Sequence, residues 1–354
     1  MIALPKNGCV FPRRNIMNGR ECAQRREPTF IPDRLANVQY ARRPRPCCAP
    51  HDSEALEESM KRFECVLERQ AAVGECPRWD ERLRRLWWVD ILGPVLHCYD
   101  PESGEDISIE MPEHIGSFAL TEDDGFVAAM RSGIWLLDCA GRPLRQLCPN
   151  PGDAKTTRFN DGRCDAHGRF WVGTIDETRV SNAAALYRLD GEQLTRVDGG
   201  LLNSNGLAFS PDGRWLYHAD TPRFSVYRRS YDAATGIAGE REPWVRFGPS
   251  EKDQRRPDGA AVDAEGYYWS ALYDAGCVVR ISPAGKIVAE YELAAQCPTM
   301  CAFGGPDLRT LYVTTARHGR SVAELAALSL SGGVFAMKTA VPGMIEPRCT
   351  LRSA

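Results

Sequence analysis

This sequence of 354 residues has no run close to the ~18 consecutive apolar residues that span a bilayer. Its start lacks the apolar core of a secretory signal peptide. A formal net charge of −3 gives no electrostatic reason to bind nucleic acid or an anionic membrane. The 14 cysteines are scattered, with no paired Cys-x-x-Cys spacing to suggest a zinc site. These absences favour a cytoplasmic protein with reduced thiols and no nucleic-acid or membrane partner.

Two further patterns are scarce. No Gly-x-Ser-x-Gly elbow is present, which argues against a serine nucleophile. Amphipathic helix patterns are rare, and residues 322–328 hold the one short candidate that stands out. The sequence is instead rich in short apolar segments separated by Asp, Ser, Pro and Gly, which are residues typical of turns. This pattern predicts an all-β fold.

Residues 1–59 differ from the rest of the chain. They hold ten Lys+Arg and seven Asp+Glu, a net charge of +3, which leaves −6 for the remainder. They sustain neither helical nor strand periodicity. We expect them to be a disordered or non-native N-terminal extension, with a basic interaction tail or targeting peptide as the alternative. The expected folded domain is residues 60–354, and Met60 opens directly into strand-like sequence.

A turn followed by an apolar strand recurs six times after Phe63, and such internal repetition is informative about the fold. The equivalent positions are Leu86, Ala128, Trp171, Leu216, Trp269 and Leu311. Their spacings are 42, 43, 45, 53 and 42 residues, which is the length of a four-stranded propeller blade. The sequence therefore predicts a six-bladed β-propeller, and residues 63–67 are the candidate strand for closing the ring.

Four segments place acids or amides beside Gly or Pro near the starts of strands. They are residues 73–79, 158–162, 203–210 and 256–263. Glu75, Asn205 and Asp258 would supply an oxygen-rich site that suits Ca²⁺, Mg²⁺ or Mn²⁺ and tolerates Zn²⁺ or Fe²⁺. Arg158 and Asn160 are two residues apart, so in an extended segment they face the same side. Asn-Gly and Asp-Gly are also ordinary turn dipeptides, but recurrence at matching places in the repeat favours a site.

These motifs, taken together, resemble the SMP-30/gluconolactonase/LRE family, of the regucalcin-like and bacterial sugar-acid lactonase type. The resemblance rests on Gly74-Glu75-Cys76-Pro77-Arg78-Trp79, Arg158-Phe159-Asn160-Asp161-Gly162, Ser204-Asn205-Gly206-Leu207 and Pro257-Asp258-Gly259. It covers residues 63 to about 340. It implies a six-bladed propeller domain that opens sugar-acid lactones with one divalent metal ion, whether Ca, Zn, Mn, Mg or Fe.

The resemblance also implies roles for individual residues. Glu75, Asn205 and Asp258 would be the metal ligands. Arg158 and Asn160 would hold the carbonyl and hydroxyl oxygens of the substrate. Asp258 would in addition act as the general base.

The sequence departs from the animal gluconolactonases after Thr174, where those proteins carry a Glu-Glu pair that reaches toward the sugar. Here Thr178 stands at the second of those positions. This difference makes L-arabinono- or D-xylonolactone the expected substrate, with gluconolactone as an alternative. A monomer or weak dimer is expected. The competing interpretations are a non-enzymatic calcium-binding regulator or scaffold, and an aryl-ester or phosphotriester hydrolase.

Overall fold

The computed structural model describes residues 62–249 and 254–351. These residues form 25 β-strands, a 3-10 helix at Thr221–Arg223 and one short α-helix, α1, at Val322–Ala327. The strands make six sheets, which are the six blades of a propeller. The predicted all-β, six-bladed fold is therefore confirmed. The predicted N-terminal extension and its boundary after residue 59 lie outside the described residues.

The first three blades are antiparallel four-stranded meanders. Blade one consists of β2 (Gly74–Asp80), β3 (Arg85–Asp90), β4 (Val95–Tyr99) and β5 (Asp106–Glu110). Blade two consists of β6 (Ile115–Leu120), β7 (Phe126–Met130), β8 (Gly133–Leu137) and β9 (Pro143–Pro149). Blade three consists of β10 (Thr157–Cys164), β11 (Phe170–Asp176), β12 (Ala184–Asp190) and β13 (Gln193–Leu201).

The other three blades vary this plan. Blade four consists of β14 (Ser204–Phe209), β15 (Trp215–Asp220), β16 (Ser225–Asp232), β17 (Ile237–Ala238) and β18 (Glu242–Arg246). Blade five consists of β19 (Arg256–Val262), β20 (Tyr268–Tyr273), β21 (Cys277–Ile281) and β22 (Ile287–Glu292). Blade six consists of β23 (Pro298–Gly304), β24 (Thr310–Thr315), β25 (Val334–Lys338) and the N-terminal strand β1 (Glu64–Leu67). The fifth strand of blade four explains the long spacing of 53 residues in the repeat.

The six repeat positions all lie in the second strand of their blade and are fully buried. Each is paired with the first strand at the same level, as in Trp79↔Leu86 and Ala261↔Trp269. The first strands of blades one, two and six are buried along their whole length, and those of the other blades hold one partly buried residue each, whereas outer strands such as β9 and β22 are largely exposed. The apolar core therefore lies between the blades, and the channel is lined by the first strands.

The recurring turn has a common construction in blades three and five. Asp165 accepts hydrogen bonds from the backbone N–H groups of His167 and Arg169, and its other oxygen accepts from the Trp171 indole at 2.9 Å. Asp263 holds Glu265, Tyr267 and Trp269 in the same way, with the indole at 3.0 Å. The turn acid thus satisfies buried donors and fixes the large core side chain.

The ring closes between the two ends of the described chain. Strand β1 pairs antiparallel with β25, with Cys65 opposite Phe335. This pairing confirms the prediction that residues 63–67 close the ring onto the C-terminal blade. Strand β1 is the outer strand of blade six, so this blade combines the N-terminal strand with three strands from the C-terminal part of the chain.

After β25 the chain crosses the turns that join first and second strands. The N–H of Gly343 donates to Leu308 O, that of Cys349 to Leu120 O, and that of Thr350 to Gly168 O. These turns lie at the end of the channel where the first strands finish. Among the described residues there is no helix long and apolar enough to cross a bilayer.

Candidate functional site

A cavity of about 620 Å³ opens at the end of the channel where the first strands begin. All five predicted site residues line it: Glu75, Arg158, Asn160, Asn205 and Asp258. They come from blades one, three, four and five, so the propeller brings together side chains separated by as many as 183 positions. A large cavity with convergent polar groups is the usual setting of a ligand site.

Irregularities in the first strands aim these side chains into the channel. The register shifts directly after Glu75 and after Asn205, and Asn160 and Asp258 lie inside equivalent shifts in β10 and β19. A β-bulge of this kind bends its strand and redirects a side chain. Gly206 follows Asn205 with φ of +61°, and a Cβ there would lie 2.3 Å from the Tyr268 hydroxyl oxygen. The Gly in the Asn205-Gly206 pair is therefore required by the local backbone.

A chain of hydrogen bonds positions the Asn205 amide. Its Oδ1 accepts from Asn160 Nδ2 at 2.6 Å, and its Nδ2 donates to Asp258 Oδ1 at 2.5 Å and to Thr221 Oγ1 at 2.7 Å. Thr221 Oγ1 in turn donates to Pro257 O at 2.7 Å. Blades three, four and five are thereby connected through one buried amide. Asn160 fixes the orientation of Asn205 as well as lining the cavity.

The two carboxylates carry unsatisfied charge. Glu75 Oε2 accepts from the Cys76 N–H at 2.8 Å, and Asp258 Oδ1 accepts from Asn205. The second oxygen of each carboxylate has no hydrogen-bond donor among the described residues. Burial, reinforced by the charge of Asp161, raises the pKa of Glu75 to about 8. Burial and then the charges of Glu75 and Asp161 raise the pKa of Asp258 well above its usual range.

These residues fit a hard divalent cation. Two buried carboxylates that repel one another are stabilised by a positive ion between them. The Asn205 carbonyl oxygen keeps a second lone pair besides the one used by Asn160. No group of three or more His, Cys, Asp or Glu side chains suited to a metal occurs in residues 62–249 and 254–351. A cation here would therefore rely on two carboxylates and the amide oxygen, as the oxygen-rich prediction expects.

Arg158 lies beside these groups and is 9% exposed. Its Nη1 donates to Asn160 Oδ1 at 2.8 Å and to Phe159 O at 2.9 Å, and its Nε lies 3.5 Å from Glu177 Oε1. No described residue accepts a hydrogen bond from its Nη2. The guanidinium is therefore held in place on one side and keeps a donor for a ligand on the other.

Sequence analysis missed several residues at the site. Thr221 is the hydrogen-bonding link behind Asn205, and Arg179, Arg256 and Arg320 line the cavity. Arg256 lies two residues before Asp258 in one of the predicted segments, so strand periodicity was a signal that pointed to it. Arg179 lies in a loop, Thr221 in the 3-10 helix and Arg320 in the segment before α1. Their spacing along the sequence does not predict that these residues share a face. Their approach depends on how the blades meet.

The Thr178 hydroxyl donates to Asp176 Oδ1 at 2.5 Å and does not line the cavity. Ser181 Oγ donates to the other Asp176 oxygen at 2.6 Å, so this carboxylate organises the loop. The neighbours Glu177 and Arg179 face the cavity instead.

The fold and the site define a six-bladed β-propeller with an oxygen-rich pocket at one mouth of its channel. The sequence profile of the family described as SMP-30/gluconolactonase/LRE-like region matches residues 73–317. The chain belongs to this family, which confirms the resemblance seen in the motifs.

Several relatives show how closely the chain follows the family. It is 46% identical to a 6-deoxy-6-sulfogluconolactonase of Pseudomonas putida over 293 residues, covering 82% of this chain and 99% of the relative. It is 33% identical to the pentonolactonase XacC of Haloferax volcanii, and the match covers 81% of this chain and 98% of the relative. Among solved structures, regucalcin of Agrobacterium tumefaciens, described as a calcium-binding protein, superposes with a TM-score of 0.77 at 30% identity, covering 81% and 96%.

Proposed function

We propose that this protein is a carboxylic-ester hydrolase that opens sugar-acid lactones in the cavity around Glu75, Asn205 and Asp258. The observation that carries the proposal is the convergence of three oxygen donors from three blades, with two carboxylate oxygens left without a protein donor. The names of the Pseudomonas and Haloferax relatives support lactone hydrolysis. A scaffold protein has no need of such a pocket.

One divalent metal ion held by Glu75, Asn205 and Asp258 would polarise the lactone carbonyl and lower the pKa of water. The donor set suits Ca²⁺, Mg²⁺ or Mn²⁺ and tolerates Zn²⁺ or Fe²⁺. The calcium-binding description of the Agrobacterium regucalcin supports Ca²⁺ as a candidate.

The protein's own residues account for binding and proton transfer. The Nη2 group of Arg158 donates to the lactone carbonyl oxygen and stabilises the negative charge that develops there. Asn160 orients the substrate's hydroxyl groups and holds Asn205. Asp258 accepts a proton as the water oxygen bonds to the carbonyl carbon, which contributes ~10²–10⁴-fold in rate. The ring C–O bond then breaks, and the proton on Asp258 is available to the departing ring oxygen. The product is the open-chain sugar acid.

The proposed substrates are five- or six-carbon aldonolactones. L-arabinono- and D-xylonolactone remain the leading prediction from the sequence, with gluconolactone as the alternative. The Haloferax relative supports pentonolactones, and the Pseudomonas relative supports six-carbon lactones.

The test is proton release from a panel of arabinono-, xylono-, galactono- and gluconolactone by the full chain. The protein is assayed after metal stripping and after addition of Mn²⁺, Zn²⁺, Ca²⁺ or Fe²⁺. Asp258→Ala should lower kcat/KM at least ~10³-fold, since both ligand and base are lost. Asp123→Ala, an exposed acid at the other end of the channel, is the matched control. Turnover that survives in Asp258→Ala, or no turnover of any lactone with any metal, would contradict the proposal.

A further inference from the structure

The lining of the cavity is rich in arginine. Arg158, Arg179, Arg256 and Arg320 line the cavity, and two carboxylates face them there, Glu177 and Asp274.

Arg256 is paired with an acid and still keeps hydrogen-bond donors that no described residue uses. Asp274 binds Arg256 Nη1 at 2.8 Å and Arg320 Nη1 at 2.5 Å, so one carboxylate serves two guanidinium groups. Arg320 has a second acid, Glu324, at 2.6 Å. Arg256 has no acid other than the shared Asp274 within the described residues. Only its Nη1 group donates to Asp274, and no described residue accepts a hydrogen bond from its Nη2 group.

Glu177 is shared between two arginines, as Asp274 is. Glu177 binds Arg131 Nη2 at 2.8 Å and lies 3.5 Å from Arg158 Nε. Burial and then the charges of Arg131 and Arg158 lower the pKa of the neighbouring His114. Arg179 lines the cavity and has no acidic partner in residues 62–249 and 254–351.

Arg179 and Arg256 flank one structural element, the 3-10 helix Thr221–Arg223 of blade four. On one side, Arg223 Nη2 donates to Asn182 Oδ1 at 2.6 Å, which ties the helix to the loop that carries Arg179. On the other side, Thr221 Oγ1 donates to Pro257 O at 2.7 Å, next to Arg256. Pro222 and Phe224 line the cavity between them.

The backbone at both arginines is fixed by the protein. The Arg179 loop is organised by the Asp176 carboxylate, and the Arg179 N–H donates to Asp176 O at 2.9 Å. Arg256 is paired in register with Tyr273 at the start of β19, two residues from Asp258. In an extended strand that spacing is ~7 Å, which is the scale of a sugar lactone measured from its carbonyl to its far carbon.

We infer that Arg179 and Arg256 form an anion subsite, and that the protein prefers an aldonolactone carrying a sulfonate, phosphate or carboxylate on the carbon farthest from the ester over the same lactone without that group. This inference rests on the proposed lactonase function. The cavity has the volume of about 20 water molecules, so there is room for such a group beyond the ring. Guanidinium groups bind these anions through charge-assisted hydrogen bonds.

The experiment compares kcat/KM for gluconolactone, its 6-phosphate, its 6-deoxy-6-sulfo derivative and glucarolactone. The kcat/KM of at least one anionic lactone should be tenfold or more above that of gluconolactone. The KM of that anionic lactone should rise with salt concentration, because the arginines are partly exposed. The anionic lactone with the highest kcat/KM relative to gluconolactone identifies whether the subsite binds a sulfonate, a phosphate or a carboxylate. Equal or better turnover of gluconolactone than of all three anionic lactones would overturn the subsite and leave the lactonase proposal standing.

The arginine variants assign the effect. Arg179→Gln and Arg256→Gln should each reduce the preference for the anionic lactone over gluconolactone at least fivefold, whereas Arg142→Gln, an exposed arginine with a side chain 79% accessible, should not. An unchanged preference in both cavity variants would overturn the inference.

A binding measurement separates the two proposals. Gluconate 6-phosphate, titrated calorimetrically into the full chain, should bind at least tenfold more tightly than gluconate and lose that advantage in Arg179→Gln. If this holds while no lactone is opened, the lactonase proposal fails and the anion subsite stands. Equal affinity for the two acids would overturn the subsite.

Discussion

The two ends of the propeller channel hold buried charges that are treated in opposite ways. At the open end, Glu75 and Asp258 are each 7% exposed, and each keeps an oxygen without a protein donor. At the other end, Glu346 from the C-terminal segment lies 2.8 Å from Arg78 Nε and 3.3 Å from Arg163 Nη1. The charges at that end are compensated within the protein.

The difference separates a ligand site from a structural network. Arg348 repeats the structural solution nearby, with its Nη2 atom 2.6 Å from Asp80 Oδ1 and its Nη1 donating to Thr121 O. A buried ion pair repays its desolvation only when partners and geometry are complete. The far end brings opposite charges together on folding, whereas at the open end the countercharge would come from the proposed cation.

Glu75→Gln is expected to have the largest effect on function. The variant loses one of two charged ligands, so metal affinity should fall about 100-fold and kcat/KM at least as much. The metal-free variant should unfold at the same or a higher temperature, because a buried carboxylate that faces Asp161 has been removed. Calorimetric metal titration and thermal unfolding check both parts. Unchanged metal affinity would show that Glu75 is not a ligand.

Glu346→Gln is expected to lower stability and to leave metal affinity almost unchanged. It removes the carboxylate that pairs directly with Arg78 and Arg163 and should lower the free energy of unfolding by up to about 3 kcal/mol, less than for a fully buried pair because Glu346 is 15% accessible. Metal affinity should change less than twofold. Urea unfolding measures the loss, with Glu122→Gln at an exposed ion pair as control. A variant as stable as the wild type would remove the distinction between the two ends.

The smallest effect is a pH dependence at a buried group beside the site. His218 is fully buried and its Nε2 lies 2.7 Å from Ser204 Oγ, and burial lowers its pKa from 6.5 to about 3. Below pH 6.5 the unfolded chain binds a proton at His218, whereas the folded chain does not. The free energy of unfolding therefore decreases as pH falls from 6.5 toward 3.

The slope due to His218 is about 1.4 kcal/mol per pH unit. Urea unfolding at pH 7.0, 6.0 and 5.0 should show it in the wild type. In His218→Asn, which has no titrating ring, the decrease in the free energy of unfolding per pH unit should be smaller by about 1.4 kcal/mol. Parallel pH profiles for the two proteins would mean that His218 is protonated in the folded state.

Much of the fold was predictable from short-range features. The repeat positions, such as Trp171 and Leu216, lie in the second strands because turn residues and apolar strands alternate at a fixed period. The site residues Glu75, Asn205 and Asp258 were predictable because acids and amides beside Gly or Pro recur at matching places. The bulges that aim them were not, since a bulge depends on the partner strand as well as on its own sequence.

The sequence by itself determined the blade period, the turns and the inward side of each first strand, because these follow from backbone preferences over a few residues. The tertiary structure alone decided which side chains meet across the ring. The approach of Glu346 to Arg78, and of Arg179 and Arg256 to one 3-10 helix, joins residues from separate blades and loops. Such contacts exist only after the ring has closed and the blades have packed, so no local pattern records them.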